Sequence, residues 1–349
     1  MAVDIRVCIP YNTFLSDKKV EEPKIGGNVF PGKTRRYNAD EYHALVPTVL
    51  SIVNTFATTA EAIKAFSTKP SFGDMDVLFI PARELSTKLL QDAFGCAFDE
   101  VSHNGGVWSL VFQELQIDLI TTTTTEFAVS SNYFQYNDFG NFRGRIHHKL
   151  GLKFGHDGLW FPVRSKDHTL GEILLSTDPV EIDKFGDFAY GELNTLEEIF
   201  EAVAASKYFN PDIFLLENRN HTARVRDRKR ATYAALLEWC KTQTVKTEFY
   251  QFDPDKTVYH RKIFKAFPHA KAEFDELWRR KFEIEEATKK FNGDLVKELT
   301  GRENAELGQL MKVLKRDLTP PVVIMMTEDD IHGAIMEQHN KLKEAENAS

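Results

Sequence analysis

Two apolar runs in this chain carry carboxylates where a buried strand should have none. The first is Gly73-Asp74-Met75-Asp76-Val77-Leu78-Phe79-Ile80, and the second is Leu115-Gln116-Ile117-Asp118-Leu119-Ile120. Successive side chains on a strand point to opposite faces, so Asp74 and Asp76 share one face while Met75 and Val77 share the other. If the second run lies beside the first, three carboxylates converge. They repel one another unless a cation sits between them. Hard oxygen donors suit Mg²⁺, and two such ions can clamp the attacking and leaving oxygens of a phosphoryl displacement. An Asp-x-Asp pair alone more often marks a solvated strand end. The apolar setting, where unpaired charge is costly, and the third acid turn the reading towards metal-dependent phosphoryl or nucleotidyl transfer.

The rest of the chain bounds that reading. Its 349 residues suggest about two domains, with room for a third. No apolar run reaches membrane-spanning length, and the first residues, MAVDIRVCIPYNTF, lack a signal-peptide pattern, so the expectation is a protein without membrane segments in the cytoplasm. Cys8, Cys96 and Cys240 are far apart and odd in number, which fits a reducing compartment and gives no zinc spacing. With 44 basic and 52 acidic residues the formal charge is −8, which counts against tight non-specific nucleic-acid binding. Distribution matters more than the total. Arg224, Arg226, Arg228, Lys229 and Arg230 form a concentrated basic run, the best phosphate-contacting candidate, with a solvated helix start as its equal alternative.

Periodicity predicts a helix over 41–66, its last turns (59–66) as a separate short helix, then the acidic strand 73–80 and a helix near 85–94. A hairpin turning at Asn104-Gly105-Gly106 or just after is expected, with strands near 107–113 and 116–123. Residues 139–154 read as helix, 157–163 and 169–175 as strands, and 194–206 as a helix with an acidic first turn. Beyond Pro211 the chain reads as helical (231–242, most of 258–315, 328–345), with Pro320-Pro321 as a break. Three parts follow: 1–130, 131–215 and 216–349. Gly26-Gly27 reads as a turn, Arg35-Arg36 equally as a nucleic-acid contact or a solvated pair, His147-His148 as surface residues of a helix, and Trp160 as core.

The acidic runs, with Tyr133-Phe134, Asn141-Phe142-Arg143, Gly151-Leu152-Lys153-Phe154 and Gly158-Leu159, and Leu196 to Phe200 followed by Phe209-Asn210-Pro211, resemble the DNA polymerase β-type nucleotidyltransferase superfamily over roughly 60–215. The resemblance implies an α+β fold: a nucleotidyltransferase palm with a mixed or antiparallel sheet flanked by helices, a thumb-like subdomain and a helical C-terminal domain. It also implies an enzyme that adds NMP or dNMP from a nucleoside triphosphate to an RNA or DNA 3′-hydroxyl, with two Mg²⁺ (or Mn²⁺) ions. Asp74, Asp76 and Asp118 would be both catalytic and metal-binding. Tyr133, Phe134 and Asn141 would line the sugar and base pocket, and Arg143 or Arg145 would touch base, template or phosphate.

The chain departs from that family in places. A Gly-Ser pair normally precedes the acids by about ten residues and cradles the triphosphate. Here the segment is Ala65-Phe66-Ser67-Thr68-Lys69-Pro70-Ser71-Phe72-Gly73, with Phe66 in the glycine's place. Ser67, Thr68, Lys69 and Gly73 are then the nucleotide-binding candidates. After Phe134 the turn is Gln135-Tyr136 rather than Thr-Gly, and the family's N-terminal helix-hairpin-helix region is absent. Phe291 to Val296, Thr300-Gly301 and Leu307-Gly308-Gln309-Leu310 are similar to the closing helices of tRNA nucleotidyltransferases and bacterial poly(A) polymerases, a mosaic of the kind found in large bacterial viruses, which would place the chain in a host cytoplasm. Three readings stay open: a nucleotidyltransferase acting on an RNA or tRNA end, a polymerase β-like DNA polymerase, and a catalytically silent fold that binds nucleic acid or protein.

Overall fold

A computed structural model describes residues 29–166, 168–242 and 248–347. The expected Gly26-Gly27 turn, the N-terminal segment and Cys8 lie outside them. Among the described residues the order is β1 (Tyr37–Asn38), α1 (Ala39–Val53), β2 (Ala57–Ala62), β3 (Ser71–Phe72), β4 (Asp74–Pro81), α2 (Thr87–Phe94), β5 (Val101–Asn104), β6 (Val107–Phe112), β7 (Leu115–Thr121), α3 (Phe127–Phe134), α4 (Phe139–Lys149), β8 (Lys153–Gly155), β9 (Gly158–Arg164) and β10 (Thr169–Ser176). Helices follow: α5 (Pro179–Gly186), α6 (Leu196–Ala204), α7 (His221–Arg228), α8 (Ala231–Thr242), α9 (His260–Ala266), α10 (His269–Lys290), α11 (Gly293–Thr300), α12 (Asn304–Asp317), α13 (Pro320–Met325) and α14 (Glu328–Asn347). The class is α+β, with a mixed sheet and many helices.

The chain divides into two compact units. The first holds the described residues up to Ile63, Thr68–Thr121 and Arg219–Trp239; the second holds Lys64–Ser67, Thr122–Asn218 and the described residues from Cys240 onward. The basic run therefore belongs with the acid-bearing strands and not with the C-terminal helices.

In the first unit the sheet order is β2-β4-β7-β6-β5, with β4 and β7 parallel and every other pair antiparallel. Strand β2 corrects the expected helix over 59–66. Ala57, Ala60 and Ile63 repeat at helical spacing, but α1 ends at Val53 and the segment pairs with the edge of β4 instead. Tertiary pairing overrides a weak local pattern. The residues before Asn104 are also strand: β5 and β6 meet across Gly105-Gly106, and β6 turns into β7 at Gln113 and Glu114, both at positive φ (49° and 63°). That left-handed pair matches the strand twist a tight hairpin needs. One face of the sheet is core: Met75, Val77, Leu110, Ile117 and Leu119 are fully buried. Helix α1 packs nearby with a capping box, in which Asn38 Oδ1 accepts from Glu41 N at 2.9 Å and Glu41 Oε2 accepts from Asn38 N at 3.0 Å.

The second unit carries the antiparallel sheet β10-β9-β8 among α3 to α6. Helix α4 stops at Lys149, short of the expected 154, because Gly151 takes a positive φ and 153–155 pair with β9. Gly140 is required where α3 and α4 meet: a Cβ there would lie 2.1 Å from the Tyr133 carbonyl oxygen. The helical run breaks before Pro320-Pro321 as expected, since α12 ends at Asp317, and the two prolines then open α13, consistent with the fit of proline to the first helical turn. Residues from α10 to α14, among them Phe291, Val296, Leu310, Leu314, Val323, Ile331 and Ile335, close a helical core. Arg302 is 5% exposed beside that core and meets both Glu346 oxygens (2.8 and 2.9 Å) and His339 Nδ1 (3.1 Å).

Candidate functional site

Strands β4 and β7 run parallel with Asp74 beside Gln116 and Asp76 beside Asp118. Aligned neighbours on adjacent strands point to one face, so Asp76 and Asp118 stand side by side, with Asp74 two residues away on the same face. Ser109, the partner of Asp118 on β6, extends this row and donates to Asp118 Oδ1 at 2.5 Å. Gln116 Nε2 donates to both Asp118 oxygens, at 3.0 and 2.9 Å. The opposite face is sealed in the core, which leaves these side chains no other direction to turn.

All three acids are half-buried. Asp76 is pushed up to about 8, first by burial and then by the charges of Asp74 and Asp118, with Lys69 opposing. Burial also raises Asp118, and Asp74 adds to it, while the Ser109 and Gln116 hydrogen bonds pull the other way. A carboxyl that resists ionisation beside two others marks a site short of positive charge. Among the described residues no three His, Cys, Asp or Glu side chains stand in a closed metal-holding arrangement. The chemistry nonetheless fits a hard divalent cation: crowded carboxylate oxygens whose mutual repulsion such an ion would relieve.

Around the acids the structure collects Gly73, which is buried, and Lys69, half-buried with its ammonium 4.6 Å from the centre of the Phe72 ring. Burial lowers the Lys69 pKa while Asp74 and Asp76 raise it. Tyr42 is a neighbour that periodicity reads only as a core position of α1. Its ring stacks on Phe72 at 3.8 Å and 12°, and burial, then Asp76 and Asp74, hold its phenol far above the usual range. Nothing in the sequence distinguishes it from a packing residue. Thr68 is exposed in the same unit.

The remaining candidates sit in the second unit. Ser67 donates to Asn194 Oδ1 at 2.8 Å. Tyr133 and Phe134 are half-buried and meet edge-to-face, with Phe134 stacked on His156. Asn141 is half-buried on α4. Arg143 has a different place from the expected nucleotide contact. Its side chain is fully buried, with Nη1 donating to Asp183 Oδ1 and Asn132 Oδ1 (both 2.7 Å) and to Tyr190 Oη (3.1 Å), and Nη2 to the Asn132 carbonyl (2.5 Å). Arg145 is likewise turned inward, to the carbonyls of Ile213 (2.7 Å) and Asn218 (2.8 Å). Both guanidiniums hold helices together. His147, expected at the surface, is fully buried, because α4 presents it to Phe154, Phe185 and Phe188; His148 is exposed as expected. Trp160 is half-buried under Lys153, whose Nζ lies 5.6 Å from the ring centre.

The basic run lies on α7 and just after it. Arg226, Arg228, Lys229 and Arg230 are exposed and Arg224 is half-buried, while Asp227 is buried between Arg219 (2.7 Å) and Arg226 (2.9 Å). One carboxylate thus draws Arg226 back and fixes the helix under the other cations. Compared with known families and with curated proteins, the chain matches none.

Proposed function

We propose that this chain is a metal-dependent nucleotidyltransferase that transfers NMP or dNMP from a nucleoside triphosphate to a polynucleotide 3′-hydroxyl. The observation that carries the reading is the register pairing of Asp76 with Asp118, with Asp74 on the same face. These three would hold Mg²⁺, which when bound supplies neutralisation of the phosphoryl charge and a more acidic attacking hydroxyl. Catalysis of this type is mostly positioning and electrostatic stabilisation. Lys69 adds a cation beside the acids, and the α7 run of the same unit offers positive charge to a nucleic-acid backbone; the family resemblance alone assigns base and sugar contacts to Tyr133, Phe134 and Asn141.

A second reading, a catalytically silent fold that binds nucleic acid or protein, is favoured by one feature: both Asp118 oxygens are engaged by neighbouring donors. Incubation with each labelled NTP and dNTP and mixed RNA and DNA primers separates the two. Extension that disappears in Asp118→Ala, with folding intact, supports the transferase. Absence of extension together with no Mg²⁺-dependent affinity for any triphosphate supports the binding module. Template dependence of the product tells a polymerase from an end-adding enzyme.

A further inference from the structure

We infer that Arg36 and Lys69 bind the polyphosphate tail of the nucleotide at this site, an inference that rests on the reading above. A backbone cradle at this place would need a glycine, because only a chain without a side chain lets amides close around phosphate oxygens. In the sequence, Phe66 stands where that glycine would be. Phosphate charge must then be met by side chains, and the first unit supplies two from separate segments.

The fold brings them together through a small ribbon. Tyr37 pairs with Phe72 and Asn38 with Ser71, antiparallel, so the next position along sets Arg36 across from Gly73, the residue before Asp74. The guanidinium is fixed there: Nε and Nη2 donate to Ser71 Oγ (3.2 and 2.9 Å), and Nη2 also to the Ser71 carbonyl at 3.0 Å. Lys69 stands over Phe72, the ribbon residue that stacks on Tyr42, and lies within Coulombic reach of Arg36, Asp74 and Asp76. Two cations held close to each other gain from a shared anion, and an oriented guanidinium matches phosphate oxygens better than a mobile ammonium does. Their position beside the acids places a polyphosphate where a cation held by those acids could share its oxygens. Sequence alone leaves Arg36 as one of a pair of basic residues remote from the acids in the chain.

Calorimetric titration of inorganic tripolyphosphate into the full chain, with and without Mg²⁺, tests the assignment. Arg36→Gln and Lys69→Gln should each weaken binding by at least about tenfold, the loss of one charge-assisted hydrogen bond. Arg36→Lys, which keeps the charge and disturbs the ribbon least, should fall between, and it stands in if Arg36→Gln does not fold. Unchanged affinity in Lys69→Gln and in a folded Arg36 variant overturns the proposal, as does failure of the wild-type chain to bind tripolyphosphate. The two readings fail separately. Primer extension with an unchanged KM for nucleotide in the variants removes this inference and leaves the transferase. Tripolyphosphate binding that depends on Arg36 and Lys69, in a chain that extends no primer, leaves the anion site and removes the transferase.

Discussion

Asp76 and Asp118 are register partners on adjacent parallel strands, so their carboxylates face the same side of the sheet with the apolar core sealed behind them. Adjacent strands are about 4.8 Å apart, a spacing at which two half-buried charges repel and one is driven to hold its proton. That relationship gives a stability signature independent of turnover. The folded-state pKa of Asp76 is raised, to about 8, above its ordinary value. Between those values the folded chain binds a proton that the unfolded chain releases, so stability is greatest below the ordinary value and declines as pH rises towards 8. In chelator, urea denaturation should show this decline, and Mg²⁺ should reverse it by binding the folded state. Asp76→Asn should flatten the decline, gain on the order of 2 kcal/mol at pH 8 after allowing for screening, and lose the Mg²⁺ response. A Mg²⁺ response that persists in Asp76→Asn places the ion elsewhere.

The buried ion pair in the second unit gives a prediction of opposite sign. Arg143 has no exposed surface, and Asp183 is its carboxylate partner. Removing one partner of a buried pair leaves the other uncompensated, at a cost of about 3–5 kcal/mol. Asp183→Ala should therefore lower stability by about that amount, measured by urea denaturation. Arg143→Lys should also be poorly tolerated, because an ammonium cannot span Asn132, Asp183 and Tyr190 in one plane. A loss below about 1 kcal/mol in Asp183→Ala would mean that water reaches the guanidinium.

Close approach between α3 and α4 makes Gly140→Ala a third test. The added methyl would lie 2.1 Å from a backbone oxygen, which cannot rotate away as a side chain can. The helices must separate, and overpacking of this kind costs about 1–3 kcal/mol or more. Gly144→Ala, one turn further on the same helix, meets its nearest atom at 3.5 Å, an ordinary contact, and serves as the control for helix propensity. Thermal unfolding should separate the two variants clearly.

What the sequence made legible follows from range of interaction. Strands β4 and β7 were readable because the acids interrupt apolar runs at the strand period, and their adjacency was expected only conditionally; the pairing itself is a contact between segments forty residues apart. Helix α6 was readable from its local acidic first turn, where Thr195 Oγ1 accepts from Glu198 N at 3.1 Å. Strand β2 was not, since the strand preference of its two threonines is offset by three alanines and a glutamate, and pairing with the edge of β4 decides. The grouping of α7 and most of α8 with the first unit depends on contacts across a hundred residues. At the site, Asp74, Asp76 and Asp118 were legible from chemistry, but Tyr42 and Arg36 were not. Both reach the acids through Phe72 and Ser71, residues whose role exists only once the ribbon has formed.

His147 combines burial with an absence of partners, and its titration is the last test. Neither ring nitrogen has a hydrogen-bond partner, and the ring is enclosed by Phe154, Phe185 and Phe188 at 5.4, 6.2 and 5.8 Å. Burial, then the positive charges of Arg143 and Lys262, lowers its pKa to about 3. The unfolded chain takes up a proton near the ordinary histidine value, and the folded chain does not until far lower. Stability is therefore fully present above the ordinary value and is lost as pH falls towards 3, by on the order of 4 kcal/mol across that range. His147→Leu keeps a similar volume and removes both the titration and the two unpaired nitrogens. Its stability should match or exceed that of the wild type near neutrality, since an unsatisfied buried polar group is a cost, and its advantage should widen as the solution is acidified. Parallel urea titrations of the two proteins between about pH 7 and pH 4 decide the matter: curves that stay a constant distance apart would mean that the imidazole is protonated, and solvated, in the folded state.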